Sequence, residues 1–360
     1  MSIPEKMQAV ICHAPEDYRL EQVPVPRIGP GEVLVRVRAA GICASDVKTF
    51  VGAQRIWGGP DFPAYLKAPV IPGHEFVGEV VALGEGAAEK YGLGLGDKVV
   101  SEQIIPCWQC RYCRRGQYWM CQTHHIYGFH GGVDDGAWAE YMRFPAGALN
   151  YKVPASVPDD QAALIEPLAC AIHAVERGEI KLGDVVVIAG MGPIGLCMLQ
   201  VARLQSPGLL IALDAKPDRV ELARKLGADL ALNVTQEDVI ARVLDLTEGY
   251  GCDVYIEATG HPAAVHQGLQ MIRKLGTYVE FSVMAAPSTV DWSIIGDAKE
   301  LNIHGAHLGP YRYPLAIDYI ATGKVNVAAL ISHRYPLSEF ATAIDTAHDA
   351  QGSCKVLLIP

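Results

Sequence analysis

Apolar positions along the chain fall into two patterns. Between residues 7 and 40 they come in short stretches broken by Pro24, Pro26, Gly29, Pro30 and Gly31, which predicts β-strands joined by turns. Val33 to Arg38 alternates apolar and charged residues, the signature of a half-exposed strand. From Val185 the pattern changes. Val185 to Ala189 is a continuous apolar run, which predicts a strand buried on both faces of a parallel sheet. It leads into Gly190-Met191-Gly192-Pro193-Ile194-Gly195, a G-x-G-x-x-G turn, then into Leu196, Leu199, Val201, Ala202 and Leu204 at helical spacing. A second apolar strand, Leu209 to Leu213, ends on Asp214. Further strands are predicted at 253–260, 276–283 and 301–306, with a helix over 220–226. This alternation predicts an α/β fold with a doubly wound parallel sheet and ligands at the strand C-termini. A strand region is also predicted from Gly136, and a helix from Glu166-Pro167, with Glu166 at its cap and Gly178 as its stop.

The strand–turn–helix–strand unit has a chemical reading. Gly190 allows a tight turn, Gly192 lets a pyrophosphate approach the backbone, and Gly195 lets the helix pack close to the strand. The helix start at Pro193 and Ile194 offers free N–H groups to phosphates. Asp214 stands where a carboxylate accepts hydrogen bonds from ribose hydroxyls and repels a 2′-phosphate, so the reading is NAD rather than NADP. Lys216 and Arg219 follow closely, and Arg219 is counted with the cofactor-binding residues. Residues 185–202 carry no formal charge and approach the length of a membrane span. Three glycines and a proline in their middle favour the strand–turn–helix reading.

Composition narrows the setting. The 360 residues suffice for two domains. A net charge of −10 argues against nucleic acid and anionic membranes as partners. The first residues lack the order of a signal peptide, so a cytosolic location is expected. Ten cysteines in such a chain point to metal binding rather than disulfides. Cys107, Cys110, Cys113 and Cys121 cluster in one loop. Four thiolates suit a closed, structural zinc site, with an iron–sulfur cluster as the chemical rival.

Other candidate donors are scattered. Cys43, Ser45 and Asp46 lie within four residues just past a strand; a buried structural Cys is an equal reading for Cys43 taken alone. His74 and Glu75 open another strand. Glu166 is either a charge that suits the helix dipole or a metal ligand. Residues 52–70 form a long loop with Trp57 and Tyr65, a surface loop or a wall of a substrate pocket. His124 and His125 read as bystanders on a polar loop.

In this order, Gly41-Ile42-Cys43-Ala44-Ser45-Asp46, Gly73-His74-Glu75, the four-cysteine loop, Glu166-Pro167-Leu168-Ala169, Gly190 to Gly195 and Asp214 resemble the zinc-dependent medium-chain dehydrogenase/reductase family. Glu166-Pro167-Leu168-Ala169 resembles its polyol dehydrogenase branch. Ser101-Glu102-Gln103, Val290 to Ile295 and Gly305 to Tyr311 resemble the enzymes of that branch that act on four-carbon polyols such as erythritol and L-threitol.

The resemblance implies a GroES-like, β-rich catalytic domain over 1–163, completed by 311–360, and a Rossmann NAD-binding domain over 164–310, with the active site in the cleft. It implies two zinc ions per subunit. Cys43, His74 and Glu166 would hold the catalytic one, with Glu75 as a further ligand in some states; Cys107, Cys110, Cys113 and Cys121 would hold the structural one. Asp46 would orient His74. Ser45 would take the proton from a secondary hydroxyl of a small polyol while hydride passes to NAD, giving a ketose such as erythrulose. Many relatives carry a His where this chain has Lys48, so the outward proton route differs. Sorbitol, 2,3-butanediol and L-threonine are the rival substrates, and a non-catalytic NAD-binding protein is the reading from another class. A homodimer or homotetramer is expected.

Overall fold

The computed structural model describes residues 3–360. The chain divides into two compact units: one runs through Glu166 and resumes at Tyr313–Pro360, and the other is Pro167–Arg312.

The first unit is built on a mixed sheet. Its strand order is Ile331–Pro336, Lys355–Ile359, Val33–Gly41, Glu75–Leu83, Lys98–Ser101 and Asn150–Lys152, with Tyr141–Phe144 also paired to Val33–Gly41. Val33–Gly41 behaves as its alternation demands: Val33, Val35 and Val37 are buried while Arg36 and Arg38 face water. It pairs antiparallel with Glu75–Leu83, and Gly41 stands opposite Glu75. The same Gly41 is also opposite Leu357 of the C-terminal strand. Three strands therefore converge where the sequence places Cys43, His74 and Lys355. A Cβ on Gly41 would fall 2.1 Å from Glu75 Oε2, so a larger residue there would displace the Glu75 carboxylate.

The strand expected from Gly136 begins only at Tyr141. The N–H groups of Gly136, Ala137 and Trp138 donate to Ile71, Gly73 and Pro72 carbonyls instead of a ladder. That segment braces the turn before His74, with Trp138 fully buried against it.

The second unit is a six-stranded, wholly parallel sheet. Its order is Leu230–Asn233, Leu209–Asp214, Val185–Ala189, Cys252–Glu257, Ile272–Glu280 and Asn302–Gly305. Strand order reverses at Val185–Ala189, the position where doubly wound sheets bind dinucleotides. The helix Pro193–Arg203 follows at once, with Gly192 at its cap and Pro193 in its first position. A Cβ on Gly195 would lie 1.7 Å from the Gly190 carbonyl oxygen, so only glycine permits this helix-to-strand approach.

The helix Ile165–Arg177 starts one residue before the expected cap. The turn at Ala163–Leu164 carries the chain into it from the short helix Asp159–Ala162, so Glu166 lies inside the first turn. Among the described residues, no helix is long and apolar enough to cross a membrane.

Candidate active site

The Gly41–Glu75 register brings one group of donors together. Cys43, His74 and Glu75 each offer a ligand atom, and these atoms all lie within 4.8 Å of one another. Cys43 precedes the helix Ala44–Phe50, and Asp46 Oδ2 accepts a hydrogen bond from its N–H at 2.8 Å. Asp46 Oδ1 is 3.7 Å from His74 Nδ1, a buried nitrogen with no hydrogen-bond partner among the described residues. Burial pulls the His74 imidazole down, but Asp46, Cys43 and Glu166 outweigh it and hold it well above its usual value. That much negative charge around a buried imidazole is what a divalent cation neutralises. A thiol, an imidazole and nearby carboxylates are a donor set that suits zinc. Ser45 is half-buried on the same helix. Burial also lowers Lys48, opposed by Cys43 and assisted by Arg55.

Two expected ligands also hold other partners. Both oxygens of Glu75 accept from Lys355 Nζ, at 2.8 and 2.6 Å, and Lys355 also donates to the Ile42 carbonyl at 3.2 Å. Sequence reasoning missed this cation; its only signal is a lysine heading the apolar strand Lys355–Ile359. Burial opposes its charge, but Glu75 and Cys43 keep Lys355 firmly protonated. Glu166 stands outside the tight Cys43–His74–Glu75 group. Its Oε1 accepts from Gln103 Nε2 at 2.6 Å; Gln103 lies in the Ser101-Glu102-Gln103 motif, but nothing in that motif points to Glu166.

The four cysteines form the second group, with all sulfurs within 4.8 Å of one another. Cys107 and Cys113 Sγ are 4.0 Å apart, far from a disulfide and near the roughly 3.8 Å edge of a tetrahedron with 2.3 Å bonds. N–H groups of Cys110, Cys113, Gln122 and Cys107 point at these sulfurs. Burial pushes the Cys121 thiol up, yet Thr123 and the backbone donors bring it down to about 6. The donors thus favour a thiolate at Cys121, whereas burial and the neighbouring Cys110 and Cys121 push the Cys113 thiol up to about 12, so full deprotonation of the four would come with the metal. Cys110→Ser/Cys113→Ser is expected to unravel the loop, so that trypsin cuts at the exposed Arg111, Arg114 and Arg115 faster than in the wild type.

His124 and His125 are not in the four-cysteine group; His125 Nδ1 lies 2.6 Å from Asp134 Oδ2, and its ring stacks on His130 at 4.6 Å. Tyr65 packs on Phe129 at 5.3 Å, and Phe129 lies 5.9 Å from the His74 ring. The long loop thus backs Phe129, the aromatic beside His74. Trp57 Nε1 donates to the Thr49 carbonyl at 2.7 Å.

In the parallel-sheet unit, the expected cofactor residues gather at one corner. Gly190 has φ +96° and donates to the Leu213 carbonyl. Gly192, Pro193, Ile194 and Gly195 open the helix Pro193–Arg203. Asp214 Oδ2 accepts from Met191 N–H at 2.6 Å and Oδ1 from Lys216 N–H at 2.8 Å. Asp214 thus braces the turn, while its remaining lone pairs can still accept. The Nη1 of Arg219 is 3.8 Å from where a Gly192 Cβ would stand, and its buried Nε has no partner among the described residues.

Comparison with known proteins agrees with this arrangement. Residues 29–155 match the alcohol dehydrogenase GroES-like domain and residues 193–322 the zinc-binding dehydrogenase domain. The chain is 54% identical over 358 residues to an erythritol/L-threitol dehydrogenase of Mycolicibacterium smegmatis, covering 99% of each chain. It is 38% identical to an L-threonine 3-dehydrogenase of Pyrococcus horikoshii, over 92% of each chain. The crystal structure of a zinc-binding dehydrogenase from Sinorhizobium meliloti, bound to NADP, superposes with a TM-score of 0.89 at 30% identity, covering 99% of this chain and 100% of that one. The chain belongs to the zinc-dependent medium-chain dehydrogenase/reductase family, in its polyol dehydrogenase branch.

Proposed function

We propose that this dehydrogenase oxidises a secondary hydroxyl of a four-carbon polyol, erythritol or L-threitol, to a ketose such as erythrulose, using NAD. The observation that carries the reading is the Cys43–His74 donor pair set beside carboxylates at the mouth of three strands. The choice of polyol is supported by the mycobacterial relative named above. When bound, zinc supplies Lewis acidity that lowers the pKa of a substrate hydroxyl, and nicotinamide accepts the hydride.

The chain's residues divide the remaining work. Cys43 and His74 hold the catalytic ion, and Asp46 at His74 Nδ1 leaves Nε2 as the donor. Glu166 completes the ligand set directly or through water. Glu75 stays paired with Lys355 and adds negative charge beside the ion. Ser45 takes the hydroxyl proton. Lys48, lowered by burial, or water carries it outward. Cys107, Cys110, Cys113 and Cys121 hold a second, structural zinc ion. Gly190, Gly192 and the helix start at Pro193, Ile194 and Gly195 receive the pyrophosphate, and Asp214 receives the adenine ribose. The working form is an assembly of identical chains.

Initial rates with erythritol, L-threitol, D-threitol, sorbitol, 2,3-butanediol and L-threonine, each with NAD and NADP, test the reading. Turnover confined to the four-carbon polyols with NAD is expected. Turnover only on sorbitol, butanediol or threonine would discard the substrate and keep the zinc chemistry. No turnover on any of the panel would overturn the assigned function. Asp214→Ala is expected to raise the KM for NAD about 10-fold or more, since hydrogen bonds to a charged group contribute about 1.5–3 kcal/mol. The NAD-over-NADP preference should narrow with it. Unchanged Michaelis constants for both cofactors would remove Asp214 from this role.

A further inference from the structure

Glu102 and Gln103 are both 1% exposed and link the strand Lys98–Ser101 to Ile104–Ile105. The chain bends at Gln103, and the two side chains meet different partners. Glu102 turns to the four-cysteine loop: Tyr118 Oη donates to both its oxygens at 2.9 Å. Tyr151 Oη donates to Oε1 at 2.7 Å. Tyr118 sits between Cys113 and Cys121 and is itself 1% exposed. Gln103 turns to Glu166. Its Nε2 donates to Glu166 Oε1 at 2.6 Å, and its Oε1 accepts from Tyr313 Oη at 2.9 Å. Tyr313 Oη in turn accepts from the Gln103 N–H at 3.2 Å, and the Tyr313 ring stacks on Tyr151 with centroids 5.7 Å apart. The tyrosine hydroxyl and the carboxylate fix which way the amide faces, because an ionised carboxylate only accepts.

We infer that Gln103 is a positioning residue that sets the Glu166 carboxylate toward the Cys43–His74 centre, and that the four-cysteine loop holds Gln103 in place through the Tyr118–Glu102 hydrogen bonds. This rests on the reading of Cys43, His74 and Glu166 as a metal centre. The two cysteine-bearing regions are then one mechanical system. The loop orders Tyr118; Tyr118 and Tyr151 order Glu102; the backbone step from Glu102 to Gln103 carries that order to Glu166. Tyr313 closes the ring from the far end of the chain. A side chain that orients a metal ligand typically changes metal affinity or activity about 10–100-fold when lost.

The test uses full-length protein with cobalt at the Cys43 centre and zinc in the four-cysteine loop. Gln103→Leu is expected to speed release of cobalt to a chelator about 10–100-fold and to shift the cobalt absorption bands, with the loop's zinc retained. Tyr118→Phe deletes one hydroxyl, and should move both readouts in the same direction by less. A merely structural role would lower the unfolding temperature and leave bands and release rate unchanged. Folded variants with wild-type bands and release rates would overturn the inference, and if Gln103→Leu does not fold, Tyr118→Phe alone decides. Wild-type protein that takes up metal only in the four-cysteine loop would overturn the metal-centre reading itself.

Discussion

Cys43→Ser should abolish most turnover, by about 10³-fold or more, and remove one of two zinc ions. The serine hydroxyl is neutral at pH 7 and a poor partner for zinc compared with a thiolate. The ion contributes several kcal/mol to the chemical step, and each 1.36 kcal/mol is tenfold in rate, so losing about 4 kcal/mol gives that factor. The fold should survive, because the exchange is nearly isosteric and the Cys43 N–H keeps its bond to Asp46 Oδ2. Metal content and kcat measured on one sample check this: full turnover with two zinc ions would remove Cys43 from the centre.

The second large effect is on stability. Lys355→Met leaves the Glu75 carboxylate, 1% exposed, without its cation. Breaking one side of a buried pair costs about 3–5 kcal/mol, a fall of roughly 10 °C in the unfolding midpoint for a protein of this size. The pH dependence has a definite sign. An unpaired buried carboxylate has its folded pKa raised above the unfolded value, so the folded variant binds that proton more tightly than the unfolded chain and loses stability as pH rises. The deficit should therefore be smaller near about pH 5 than near about pH 8. Lys355→Met/Glu75→Leu, which removes both charges, should recover much of the loss. Equal midpoints for wild type and Lys355→Met would mean the pair contributes nothing to holding the C-terminal strand.

The parts legible in the sequence are those written in contiguous residues. Val185–Ala189, the glycine turn, Pro193–Arg203 and Leu209–Asp214 follow from one uninterrupted pattern. The four-cysteine loop likewise needs only its own spacing. What stayed hidden depends on contacts across the chain. Lys355 meets Glu75 across 280 positions, and Gln103 meets Glu166 across 63; neither pairing leaves a periodic trace. Residues 136–140 carry strand-like composition, but the N–H groups of Gly136, Ala137 and Trp138 serve the Ile71–Gly73 turn, while that of Glu140 donates to the Gln8 carbonyl. Asp214 shows a third case. Its place at the strand end is legible, while its bonds to Met191 and Lys216 N–H depend on how the turn closes over it.

The most direct measurement is zinc per chain followed together with the rate of NADH formation from erythritol during stepwise chelation. Two zinc ions are expected at the start, with activity falling in step with the first ion lost while the fold, read by circular dichroism, stays intact. The second ion should leave only as the protein unfolds. Full activity after the first ion has gone, with the other still bound by the four cysteines, would contradict the account.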